Sequence, residues 1–165
     1  SNPDTLKLFI TWTFGSLSSV GWEQMSVMAP VIACGILTAL LLQKQLNILL
    51  LGKNYANGLG VSVPRLRLWI ILATALLAGT STAFTGPIAF IGITMPHVAR
   101  GLFGSPNHRI ILPASMLCGA ITLLVCDLIS QLPGMQGTLP INAVTALFGS
   151  PIIVWIILRN SYINK

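Results

Sequence analysis

From Leu68 to Ala99 the chain carries no Asp, Glu, Lys or Arg, and that one gap decides most of what it can become. A soluble domain of ordinary composition is about a quarter charged, so a charge-free run of this length belongs in lipid. The whole chain agrees: it has 165 residues, of which 54% are hydrophobic and only 7% charged, too few charges to coat a water-soluble fold. A helix crosses the hydrocarbon core with about 20 apolar residues, and the gaps between charges divide the sequence into pieces of that size.

Gln24 to Gln43 forms a first span, with Pro30 in its opening turns, where a missing backbone donor costs least. The long gap after Leu68 is interrupted by Thr85-Gly86-Pro87 and reads as a helical hairpin with a tight turn. Ile110 to Gln131 gives a fourth span, Leu132 to Pro140 ("LPGMQGTLP") breaks the pattern, and Ile141 to Leu158 gives a fifth. The N-terminal stretch holds Gly15 and several serines, so residues 1–22 are expected to lie in the interface, with Trp12 and Trp22 at headgroup level. The expected fold is all-α: a polytopic transmembrane bundle with spans near 24–43, 67–84, 87–103, 110–131 and 141–158, and a connecting loop over 44–66.

The basic residues orient it. Lys44, Lys53, Arg65, Arg67, Arg100, Arg109, Arg159 and Lys165 fall on one side of such a bundle and only Lys7 on the other, so the basic side is expected to be cytoplasmic. The net charge of +6 is then loop charge. With no basic helix face and no interleaved aromatics, nucleic acid is not an expected partner. Five spans put the N-terminus outside without any visible export signal, which leads to the expectation of further spans upstream or on another chain.

Small residues recur at four-residue spacing in Ala75, Gly79 and Ala83, in Ser115 and Gly119, and in Thr145 and Gly149; this pattern lets helices approach closely in lipid. The loop from Gln43 to Leu66 contains "LNILLL", Gly52, "KNYANGL", Gly58 and Gly60. Two short helices with an apolar face are expected there. That face either packs beneath the bundle or serves as a surface for a partner.

The chemistry-bearing residues are few. Pro96 is expected to end or bend the third span. His97 and Arg100 are three apart and share a helix face, and His108 and Arg109 follow on the same side. No carboxylate or thiolate lies near His97 and His108 in sequence, so no metal site is expected, and no cofactor. Asp127 is the one acid inside a span and is a candidate for a transport role, placed toward the outer interface. Cys34, Cys118 and Cys126 match no zinc or redox spacing and read as packing residues. No Walker-type phosphate loop and no catalytic constellation occurs, so no catalytic residue is expected; a self-sufficient channel, exporter or scaffold is one function class open to such a chain.

Four ordered motifs carry a family resemblance. "LLLGKNYANGLGV", "GPIAFIGITMPHVAR", "NHRIILPASMLCGAITLLVCD" and "LPINAVTALFGSPIIVWIIL" resemble successive segments of the iron-chelate and vitamin B12 family of ATP-binding-cassette (ABC) importer permeases. The match falls on the second half of such a permease. The resemblance implies a multi-pass subunit of the bacterial cytoplasmic membrane that moves a siderophore, haem or cobalamin inward. Implied partners are an ABC ATPase subunit, an extracytoplasmic substrate-binding protein and a second permease copy. Within it, Leu46 to Leu59 would be the loop that docks on the ATPase, with Leu51, Gly52, Ala56, Leu59 and Gly60 shaping the surface and Pro96, His97 and Arg100 holding the third span against it. The chain departs from the family pattern at Gln131, Thr138 and Asn142, all near the outer end.

Overall fold

The computed structural model describes residues 3–131 and 139–163, and within the last helix it leaves out the side chains of 157 and 159–163. The expected break over Leu132–Pro140 therefore lies mostly outside the described residues, as do Thr138 and Lys165. Eight helices and no strand are present among the described residues. They are α1 (Pro3–Phe14), α2 (Trp22–Leu41), α3 (Gln43–Leu49), α4 (Lys53–Gly58), α5 (Val63–Thr85), α6 (Phe90–Phe103), α7 (His108–Ser130) and α8 (Ile141–Ile163).

Three of them, α2, α5 and α7, are long and apolar enough to cross a membrane; their 20 to 23 residues correspond to roughly 30–35 Å at the helical rise. In α8 the apolar stretch Ile141–Ile156 is shorter. The 14 residues of α6 reach only about 21 Å. Leu, Ile, Val and Trp side chains such as Leu37, Ile71, Leu117, Leu124, Leu147 and Trp155 point outward. That is a stable arrangement only where the solvent is itself apolar, and there helices are held by close packing and not by expulsion from water.

The packing is a pair and a trio. α2 lies along α5, while α6 packs against both α7 and α8, which also touch each other. The expected hairpin is not formed: α5 and α6 follow one another in sequence but pack on different neighbours. The reason lies at Gly86, whose φ of +79° turns the chain out of α5 into the non-helical stretch before Phe90.

Close approach occurs where small residues meet large ones. A Cβ on Gly35 would fall 2.7 Å from Leu77 Cγ across the α2–α5 contact. Gly119 faces Ile91 and Met95, and Gly149 faces Phe90 and Thr94, so the stripes on α7 and α8 do serve helix contacts. The stripe on α5 differs: Ala75, Gly79 and Ala83 are all exposed, and a Cβ on Gly79 would meet nothing within 4 Å.

Two connections join pair to trio. At one end α3 packs on α7, and α4 links α3 to α5. At the other, Gly15 (φ +72°) crosses Gly86 closely enough that Ser16 N donates to Thr85 O at 2.9 Å, while Leu17 packs against Cys126 of α7 and Ile141 and Val144 of α8. The chain direction puts Lys44, Lys53, Arg65, Arg67, Arg100 and Arg109 at the first end, with Glu23 and Asp127 at the second.

Candidate functional site at the basic end

The loop between α2 and α5 is built as two short, fixed helices. Leu42, buried and in near-helical conformation, lets α3 follow α2 after a single residue. Gly52 adopts φ +105°, ψ +155° at the start of α4, a backbone region that only glycine enters without strain. The end of α4 is a complete Schellman motif: Gly60 has φ +81°, its N–H donates to Asn57 O at 3.1 Å, and Val61 N donates to Ala56 O at 3.0 Å. Gly58, in contrast, is helical with open space around it.

Between those two glycines Ala56 is 0% exposed and is the one buried residue of α4. It holds the helix onto the rest of the chain and is not itself on the outer surface. The outer surface belongs to Leu51, Tyr55 and Leu59, exposed at 65%, 56% and 57%. Of the residues expected to shape a docking surface, Leu51 and Leu59 are exposed, Ala56 is buried, and Gly52 and Gly60 adopt positive φ.

The same end receives α6 and α7. α6 does not end at Pro96; it continues to Phe103 and stops at Gly104, whose φ of +59° and N–H bond to Arg100 O (2.9 Å) form a left-handed cap. Pro96 sits inside the helix and withholds the donor that Gly92 O would otherwise receive. Ile91, Thr94, Met95 and Ala99 are the buried face of α6, and His97 and Arg100 are exposed. They share a face, as their spacing requires, yet His97 lies well before the last turn and makes no side-chain hydrogen bond to a helix-terminal carbonyl among the described residues. Arg100 lines a shallow depression with Leu50, Ser105 and His108, so the α6 end and the loop helices form one continuous surface. Arg109 is exposed beside it.

A cluster of side-chain amides, absent from the sequence expectations, ties this surface together. Asn107 caps α7: its Oδ1 accepts from Arg109 N at 3.0 Å. Asn47, on α3, donates from Nδ2 to that same Oδ1 at 2.7 Å. Its own Oδ1 accepts from His108 N at 2.8 Å and faces His108 Nδ1 at 2.9 Å. The backbone N–H can only donate, so Asn47 Oδ1 must be the acceptor and His108 Nδ1 must carry a proton. Asn107 was legible as a helix-capping residue after "SP" and before an apolar run. Asn47 carried no local signal, because its partners are 60 and 61 residues away.

Asp127 sits at the opposite end. Its Oδ2 accepts from Gln131 Nε2 at 2.7 Å, and it opens onto a pocket with Thr11, Ser16, Ser18 and Ser130. Ser130 in turn bonds to Leu139 O through its hydroxyl, closing the ends of the segment between α7 and α8. Cys34, Cys118 and Cys126 are free thiols, and among the described residues no group of His, Cys, Asp and Glu could hold a metal ion.

Comparison with known proteins places this architecture. Residues 1–159 match the model of the FecCD transport family. The chain is 41% identical over 158 residues to the vitamin B12 import system permease protein BtuC of Vibrio cholerae serotype O1, covering 94% of this chain and 46% of that protein. It is 40% identical over 148 residues to the Fe(3+) dicitrate transport system permease protein FecC of Escherichia coli K12, covering 90% and 44%. With the hemin transport system permease protein HmuU of Yersinia pestis it shares 36% over 159 residues, covering 96% and 47%. A solved inward-facing conformation of a metal-chelate type ABC transporter superposes with a TM-score of 0.87 at 29% identity, over 96% of this chain and 52% of that one. The chain belongs to the FecCD transport family, and it spans about half the length of the curated relatives it matches.

Proposed function

We propose that this chain supplies one half of the permease of an ABC importer for an iron chelate, haem or cobalamin, and that its basic end is the cytoplasmic surface on which a separate ATPase docks. The observation that carries the docking reading is the exposed Leu51, Tyr55 and Leu59 face, held on two short helices by a buried Ala56 and by glycines at φ +105° and +81°. The helical backbone and the two glycine turns direct this apolar face outward. Arg100 lines a depression with Leu50 at the same end, Arg109 is exposed in the first turn of α7, and this positive charge suits an acidic partner surface.

The relatives' names supply the cargo class: vitamin B12, Fe(3+) dicitrate and hemin. A substrate-binding protein would meet the end that carries Asp127 and Gln131. A second permease copy and lipid share the remaining apolar faces, including the uncovered Ala75, Gly79 and Ala83 stripe. His97 and Arg100 take the role of an outward-facing pair near the docking surface.

The test is the Leu51→Asp, Leu59→Asp double variant in the full-length permease. Both positions are exposed, so folding is expected to persist while association with the ATPase in detergent, and cargo uptake in proteoliposomes, are lost. Unchanged association would remove the docking role from this loop.

A further inference from the structure

The cluster of Asn47, Asn107 and His108 does more than finish a helix end. α3 packs on α7 and on α4, and among the described residues every hydrogen bond between α3 and the start of α7 passes through the one amide of Asn47. Its oxygen takes the first N–H of α7 and its nitrogen takes the oxygen that caps the second. The α7 terminus is thus capped half by its own Asn107 and half by a residue from the loop. α7 is also the helix that meets both α6 and α8, so a force delivered at His108 reaches the whole trio.

We propose that Asn47 is the positioning residue that makes the loop helices and α7 move as one body, so that displacement of the docking surface during the ATPase cycle is transmitted to α7. The proposal rests on the docking reading above. An amide suits this task because it offers one donor and one acceptor in a fixed plane, and here both are used. An apolar residue of the same size would keep the packing and lose the connection.

The experiment uses the full-length permease assembled with its ATPase and binding protein in proteoliposomes, with association, ATP hydrolysis and cargo uptake read separately. Asn47→Leu is expected to assemble and hydrolyse ATP while uptake per ATP falls by about tenfold, on the scale of the coupling between two linked elements. His108→Ala is expected to lose only about twofold to threefold, because its backbone N–H still reaches Asn47 Oδ1 and Asn47 Nδ2 still reaches Asn107. A second variant guards against a folding defect: with Asn47→Cys and His108→Cys in a background free of Cys34, Cys118 and Cys126, uptake should be low when reduced and recover on closure by a short bifunctional thiol reagent. Normal uptake per ATP in Asn47→Leu, or no recovery on cross-linking, would overturn the proposal. Loss of ATPase association in Asn47→Leu would also overturn it, by making Asn47 a support of the docking surface. The docking reading fails separately, through the Leu51 and Leu59 variant.

Discussion

Gly149 of α8 lies against Phe90 of α6 so closely that a Cβ at 149 would stand 2.8 Å from Phe90 Cβ and 3.4 Å from Thr94 Oγ1. Both neighbours are anchored, since Thr94 is fully buried and its hydroxyl donates to Phe90 O at 2.7 Å. Neither can retreat without moving the helix. Gly149→Leu should therefore push α8 away from α6 and destabilise the trio by about 1–3 kcal/mol, whereas Gly79→Leu, in open space, should leave this chain's own packing unchanged. Thermal unfolding of the two variants in detergent separates the cases; equal midpoints would contradict the packing described.

Gly86 makes a stronger demand. Its φ of +79° already disfavours any side chain, and a Cβ there would collide with the carbonyl oxygen of Trp12 and lie 2.9 Å from Gly15 Cα. Trp12 cannot swing aside freely, because its indole N–H donates to Ala83 O at 3.3 Å. Gly86→Ala should detach α1 from the end of α5. Increased proteolytic cleavage between residues 15 and 21 is the expected signature, and wild-type cleavage rates would refute the crossing.

Much of this was legible because lipid imposes a simple code. Charge-free runs located the long helices, and the one-sided basic residues identified the end where the loop helices sit. The resemblance of four motifs found the family. Four features escaped, each for a physical reason. The α5–α6 hairpin was inferred from adjacency, but pairing is decided by which faces are complementary, and Gly86 redirects the chain. The contact at Gly35 and Leu77 was invisible because a single glycine against a leucine leaves no periodic trace. Asn47 has no local signature, because hydrogen-bonding partners 60 residues away cannot be read from a local pattern. Ala56 stands out by its place in a motif, yet its burial, which makes it an anchor and not a contact, depends on the tertiary fold.

The glycines of the loop offer an internal control. Gly60 occupies the left-handed position of a Schellman motif, where an L side chain costs about 1–2 kcal/mol. Gly58 is helical with nothing around it, and replacing it with alanine should gain about 0.5–1 kcal/mol. Gly60→Val should accelerate amide exchange across residues 53–61, and Gly58→Ala should slow it. The opposite ordering would show that α4 is not terminated as described.

The orientation of the bundle yields the last prediction. Asn54 and Gln131 are exposed residues at opposite ends: Asn54 lies on α4 beside the basic residues, and Gln131 caps α7 next to Asp127. Asn107 would be a poor reporter despite its position, since its side chain caps α7 and binds Asn47. Membrane insertion retains clusters of Lys and Arg on the cytoplasmic side, and Lys44, Lys53, Arg65, Arg67, Arg100 and Arg109 all lie at the Asn54 end. In the full-length permease lacking Cys34, Cys118 and Cys126, a thiol at Asn54→Cys should react with an impermeant reagent only after the cells are opened. A thiol at Gln131→Cys should react in spheroplasts, from outside. Reversal of the two accessibilities would place the Leu51, Tyr55 and Leu59 face on the outer side, away from any ATP, and would end the docking reading and the transmission role of Asn47 together.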